Sequence, residues 1–175
     1  MRTLVHLRHG EREPGGVHLT PRGARLAAQL GRRLPRFDRV ITSPKPRAVE
    51  TAEAMGYAVD AELPELEGLP APIDRWVDRE DPRSFADYVA LVDRLEEAKA
   101  HAQLLAGRWR EEVERVPEGG RLLLVSHGGI IELGAVGALG ALTRAWGPVL
   151  GLLDGVELDR DRSGWCRGAV VRSER

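Results

Sequence analysis

A three-layer α/β/α sandwich with a mostly parallel central sheet is the fold this sequence predicts. Three observations lead there. Short apolar runs suited to buried strands recur at residues 3–8, 39–42 and 121–126, and stretches with helical spacing separate them. Such alternation builds a parallel sheet covered by helices on both faces. Two of the strands end in the same way: TLVHLRHG at residues 3–10 and RLLLVSHGG at residues 121–129 each pass from an apolar run into His and Gly. The carboxyl edge of an open α/β sheet is where ligands bind, so two imidazoles there point to one site.

A chain of 175 residues accommodates one domain with a sizeable core, here taken to span residues 1–175. Its 26 basic and 27 acidic side chains leave a net charge of −1, which argues against a general nucleic-acid or acidic-membrane binder. Lys45 and Lys99 are the only lysines, so arginine carries nearly all the positive charge. Cys166 is the sole cysteine, which rules out an intrachain disulfide and a thiolate metal cluster. No apolar run approaches the ~20 residues of a membrane helix, and the first residues lack a signal-peptide pattern. A reduced cytoplasm is the expected location.

The elements follow in order. After strand 3–8, EREPGGVH is a loop broken by Pro14, Gly15 and Gly16. Thr20-Pro21 reads as an N-cap and first helical residue, opening a helix with Leu26, Leu30 and Leu34 as its apolar stripe and Pro35 as its end. RVIT at 39–42 is the second strand. Ser43-Pro44 starts the next helix, which carries Arg47 and runs to about Met55. Residues 56–82, with Pro64, Pro70, Pro72 and Pro82, read as an irregular surface segment. From Phe85 to Val116 apolar residues return at helical spacing, as one long helix or two joined near Gly107. Strand 121–126 leads to His127 and a buried helix over 130–139. Residues 150–158 and 167–172 then form two closing strands around the polar turn DRDRSG.

The chemistry follows from Arg8, His9, Arg47 and His127. Arginine's planar fork stays charged and binds two oxygens at once, which suits a tetrahedral phosphoryl group whose transfer depends on positioning and charge stabilisation. Two arginines and two histidines, without a metal-ligand cluster, describe an anion pocket in which one imidazole can be the nucleophile.

Four motifs in order, RHG at 8–10, LTPRG at 19–23, SPKPRAVETA at 43–52 and SHGG at 126–129, resemble the histidine phosphatase superfamily, also called phosphoglycerate mutase-like. The resemblance covers residues 3 to about 140. It implies a phosphoglycerate mutase-like fold and a metal-independent phosphatase that needs no cofactor. By the same resemblance His9 is the nucleophile that forms a phosphohistidine, while Arg8, Arg47 and His127 hold the phosphoryl oxygens. His9 must be neutral to attack, and a bond from its other ring nitrogen to a backbone carbonyl would fix the tautomer. The family also uses a carboxylic acid to protonate the leaving oxygen and then activate water. ELPELEG at 62–68 matches its pattern except for a missing spacer. Glu65 is the first choice, followed by Glu67 and Glu62. Glu11 is expected to orient the loop after RHG, His6 to be a packed core histidine, and His18 and His101 to be surface or loop residues.

The loops after Gly10 and after Glu67 are shorter than those of the family's mutases, which favours hydrolysis. The expected substrate is a phosphomonoester, either a small phosphorylated metabolite or a phosphorylated protein side chain, phosphohistidine included. Phosphoglycerate mutase-type transfer and a non-catalytic phosphate-binding module are the alternatives. Neither nucleic acid nor membrane is an expected partner. Glu13, His18, Arg75, Trp76 and Arg79 are candidates for the pocket mouth.

Overall fold

The computed structural model describes residues 1–173. Its strands are β1 (Arg2–Arg8), β2 (Arg39–Thr42), β3 (Ala61–Glu62), β4 (Arg121–Ser126), β5 (Gly155–Asp161) and β6 (Gly164–Val171). They form one sheet in the order β3-β2-β4-β1-β5-β6. The first four run parallel, and β5 and β6 close the sheet as an antiparallel pair.

Alternation along the strands decides what lies on each face. Val5, Leu7, Val40, Leu123 and Val125 point to one side, where they bury against Ala27 of α1 (Pro21–Gly31) and Ala48 and Ala52 of α2 (Pro46–Ala54). Leu4, Ile41, Leu122, Leu124, Val156 and Leu158 point to the other, against Trp109 and Val113 of α5 (Glu96–Glu114) and Ile131 and Ala135 of α6 (Ile130–Leu139). The expected three layers are therefore present. Outside α5 and α6, Ile73 of α3 (Ala71–Glu80) and Tyr88 and Val89 of α4 (Phe85–Arg94) build a further apolar cluster with Leu105 and Leu133. Among the described residues no helix is long and apolar enough to cross a membrane.

Five expectations about the elements need correction. The closing strands are Gly155–Asp161 and Gly164–Val171 rather than 150–158 and 167–172, because residues 150–154 turn before the sheet is entered. Helix α1 is capped by Thr20 as expected, its Oγ1 accepting the Gly23 N–H at 2.9 Å, but it ends at Gly31 rather than Pro35. Its buried stripe is Gly23 and Ala27, and Leu26 is partly in solvent. Helix α2 starts at Pro46, two residues beyond the expected Ser43-Pro44, because Lys45 is still extended. Residues 56–82 are not irregular throughout: β3, a short 3₁₀ turn over Pro64–Leu66 and α3 occupy much of the segment. Pro70 and Pro72 sit at the start of α3, where proline removes no needed donor. The apolar run 85–116 is two helices divided at Leu95, whose extended backbone ends α4, while Gly107 lies inside α5. Ser84 and Asp87 start α4 with reciprocal capping bonds.

Candidate active site

The parallel register brings three strand ends level. Arg8 pairs with Ser126 and Thr42 with Val125, so β1, β4 and β2 finish at one edge. The ladder extends one residue further: the His9 N–H donates to the Ser126 carbonyl and the Ser43 N–H to the Val125 carbonyl, both at 2.9 Å. His9, Ser43 and His127 thus leave the sheet side by side. Arg47 is added by the first turn of α2, whose position is fixed where its N–H donates to the Val17 carbonyl at 3.0 Å. Arg8, His9, Arg47 and His127 together line a cleft of about 460 Å³, with Glu11, Arg12, Glu13, Pro14, Gly128 and Leu152 completing its wall.

His9 is buried, and both ring nitrogens are engaged. Nδ1 lies 2.7 Å from the Gly10 carbonyl, which can only accept, so Nδ1 carries the proton. Arg47 Nε can only donate, and it lies 3.1 Å from Nε2, which therefore holds the lone pair. Burial pushes the pKa down to about 4; the Gly10 bond works against that, and Arg47, Arg8 and Arg12 add to it. The ring is neutral at pH 7.

His127 lies edge-on to His9, with ring centroids 5.2 Å apart. Its Nε2 shares a 2.8 Å hydrogen bond with Ser43 Oγ, and its buried Nδ1 has no partner among the described residues. Burial, then the charges of His9, Arg47 and Lys45, push its pKa down to about 2. Arg8 donates from Nη1 to the Leu150 carbonyl at 2.6 Å and lies flat against Gly128. A Cβ at residue 128 would sit 3.2 Å from the guanidinium carbon, so the absence of a side chain there lets the fork lie on the backbone.

The expected carboxylates are not among the cleft-lining residues. Glu65 accepts from Arg108 Nε at 2.9 Å and from Nη2 at 2.5 Å, and this pairing holds its carboxyl below the usual carboxylate range. Glu62 and Glu67 do not line the cleft either. The carboxylates that do are Glu11 and Glu13. Glu11 accepts from Thr20 Oγ1 and from Arg22, both at 2.7 Å, which steadies the loop in the expected manner. Glu13 bonds its neighbours through its backbone, its N–H donating to the His18 carbonyl and its carbonyl accepting from Gly16 and Arg12.

Of the other candidates for the mouth, Arg75, Trp76 and Arg79 line a separate cleft between α3 and α4, and His18 pairs with Glu50 at 2.5 Å. His6 is a core histidine, bonded to Ser126 Oγ at 2.6 Å and edge-on to Trp109. His101 is half-buried on α5 rather than on a surface loop. Sequence reading passed over Arg12, Ser43 and Glu132. Arg12 could have been found from its place beside RHG; the other two required the fold.

The profile of the histidine phosphatase superfamily (branch 1) matches residues 4–166. The chain belongs to this superfamily. No curated protein sequence matches it. Among histidine phosphatases and mutases of known structure, one similar fold is a phosphoserine phosphatase from Entamoeba histolytica in complex with 3-phosphoglyceric acid. It has a TM-score of 0.73 and 18% identity, over 100% of this chain and 98% of that one. A mycobacterial glucosyl-3-phosphoglycerate phosphatase in complex with VO3 gives 0.64 and 21%, covering 100% of both chains. The phosphoglycerate mutase of Bacillus anthracis gives 0.65 and 18%, covering 99% of this chain and 92% of that one. At these identities the likenesses speak for the phosphoglycerate mutase-like fold.

Proposed function

We propose that this protein is a metal-independent phosphatase that hydrolyses a phosphomonoester of a small metabolite through a phosphohistidine on His9. The observation that carries this reading is the His9 tautomer: the Gly10 carbonyl holds the Nδ1 proton, and the Nε2 lone pair lies within a cluster of cations.

When a phosphoryl group enters, Arg47 Nε turns from His9 Nε2 to an oxygen, freeing the lone pair for in-line attack. The Nε2–P bond forms as the ester P–O bond breaks. Arg8, Arg47 and His127 take up charge on the equatorial oxygens, a role for which fixed cations in a half-dry cleft are suited. A dianion beside His127 raises the pKa of that ring, so that it binds as a cation. Glu13, whose carboxyl group is not held by Thr20 or Arg22, enters as the carboxylic acid and donates its proton to the departing alkoxide, becoming the carboxylate. The same carboxylate then takes a proton from water, which attacks phosphorus and breaks the P–N bond. Phosphate leaves and His9 is regenerated. For Glu65 to serve instead, it would first have to separate from Arg108.

The test is hydrolysis of an aryl phosphate in the presence of EDTA, with acid-quenched protein examined by mass spectrometry under conditions that preserve phosphohistidine. Turnover and a transient 80-dalton adduct on the His9 peptide, both absent in His9→Ala, are expected. Turnover that persists in His9→Ala, or that EDTA abolishes, would overturn the reading.

A further inference from the structure

Glu132 is a buried carboxylate beside the cleft that the proposed chemistry leaves unused. It lies on the first turn of α6, five residues after His127, and is 1% exposed. Burial raises its pKa, while its bonds to backbone N–H groups and the nearby Arg8 oppose that rise. An isolated carboxylate in such a place is costly, so its partners need explaining. Oε2 accepts the N–H of Gly129 at 2.7 Å, and Oε1 accepts the N–H of Leu150 at 2.9 Å.

Those two bonds lead to two segments that border the cleft, one next to Gly128 and the other bonded to Arg8. Gly129 ends the His127-Gly128-Gly129 turn with a positive φ of 82°, which glycine adopts without a steric penalty. Leu150 is the residue whose carbonyl accepts from Arg8 Nη1 at 2.6 Å. Gly128, between the two, is the surface on which the Arg8 guanidinium lies. One carboxylate therefore ties the turn bearing His127 to the segment that aims Arg8. Helix capping alone would use only the Gly129 bond; the Leu150 bond, across 18 residues of chain, is the one that reaches the anion site.

We infer that Glu132 is a positioning residue that sets Arg8 and the His127 turn in register for a phosphoryl group. The inference rests on the reading of the cleft as a phosphate site. Glutamine at 132 keeps one acceptor oxygen and presents an amide N–H to the other backbone donor, so either the Gly129 or the Leu150 N–H loses its bond. Loss of the Leu150 bond frees the segment that aims Arg8, and loss of the Gly129 bond frees the turn after His127.

The experiment is a double-mutant cycle read by the affinity of the full chain for inorganic phosphate, with Glu132→Gln, Arg8→Gln and the double variant, each checked by thermal melting. Groups that orient a binding side chain typically contribute about ten- to a hundredfold. The expected result is a loss of about tenfold in Glu132→Gln and a clearly smaller further loss when it is added to Arg8→Gln, the remainder being the part carried by the His127 turn. Steady-state kinetics should show the same dependence on Arg8 in kcat/KM. Equal additional losses in both backgrounds, or a phosphate affinity within twofold of the native protein, would overturn the inference. If Glu132→Gln does not fold, Glu132→Asp, which keeps the charge on a shorter arm, takes its place in the cycle. If neither folds, the carboxylate is a folding group and the inference falls. A native protein that binds no phosphate would instead sink the reading of the cleft, and this inference with it.

Discussion

Arg47 Nε lies 3.1 Å from His9 Nε2, so the cation that is to bind a phosphoryl oxygen guards the lone pair that is to attack phosphorus. This arrangement keeps the imidazole neutral, since a second ring proton would point at a guanidinium. Burial is the larger influence on the low pKa of His9, and Arg47 is the first of its charged contributors. Arg47→Gln should therefore raise the His9 pKa from about 4, while burial keeps it below the ordinary 6.5. Titration of the His9 ring by NMR checks the direction, and a value that fell or stayed fixed would refute the account. In the native protein His9 is deprotonated above its pKa, so kcat/KM should show no acid limb near 6.5 arising from the nucleophile. In Arg47→Gln kcat/KM should fall by about a hundredfold or more, because the loss of one preorganised donor to transition-state charge is typically of that size.

Glu13 and Glu65 can be separated by leaving group. Proton donation matters most for an alkoxide and least for a phenolate that leaves readily as an anion. Glu13→Gln should lower hydrolysis of an alkyl phosphate by about a hundredfold and that of a nitrophenyl phosphate much less. Glu65→Gln should leave both within a few-fold of native, since the pair with Arg108 is partly exposed and such surface pairs contribute only about 0–1 kcal/mol. The reverse pattern would return the proton to Glu65 and mean that the Arg108 pair opens when substrate binds.

This pair also marks the boundary of what the sequence makes legible. Arg8, His9 and His127 can be placed from sequence because each follows an apolar strand, and a parallel sheet brings such ends to one edge. Arg47 is legible for a similar reason, since its helix must start beyond β2. The state of Glu65 is not, because it depends on Arg108, 43 residues away on a different helix, and no local spacing reports that bond. Helix α3 was hidden by prolines that mark its start rather than a loop. The break at Leu95 was hidden because neither Gly nor Pro makes it; extended backbone and the new first turn at Glu96 and Glu97 do.

Acid should destabilise the fold through its buried histidines. His6 is fully buried, and burial pushes its pKa down to about 3. An unfolded histidine takes up its proton near 6.5, so below that pH the unfolded state binds more protons than the folded one. Stability is thus fully present above about pH 6.5 and declines as pH falls toward 3, by up to about 1.4 kcal/mol per pH unit for each such group. His9 and His127 add to the same slope in the ligand-free protein, since both are also depressed. Urea unfolding between pH 7 and pH 4.5 should show this decline. His6→Gln should have a shallower slope by about one proton, whatever its stability at pH 7. An unchanged slope would show that His6 is not the titrating group.

Glycines at helical positions in α5 and α6 should respond in opposite ways to alanine. Glycine inside a helix is usually a liability of about 0.5–1 kcal/mol relative to alanine. On α5, Gly107 has nothing within 4 Å of where a Cβ would stand, so Gly107→Ala should raise stability by about that amount and the melting temperature by a few degrees. On α6, a Cβ at Gly134 would lie 2.2 Å from Trp109 Cζ2, and one at Gly137 would lie 2.0 Å from the Ala102 carbonyl oxygen. There the close approach of α6 to α5 outweighs the helical preference. Trp109 is among the largest fully buried side chains and has no free space to enter, so Gly134→Ala should cost about 1–3 kcal/mol through overpacking. Helix α6 begins at the turn bearing His127, so a shift along this contact should also lower phosphate affinity, whereas Gly107→Ala should leave it unchanged. Paired melting curves and phosphate titrations test both statements. A Gly134→Ala protein as stable as the native one would mean that the two helices can separate without disturbing the site.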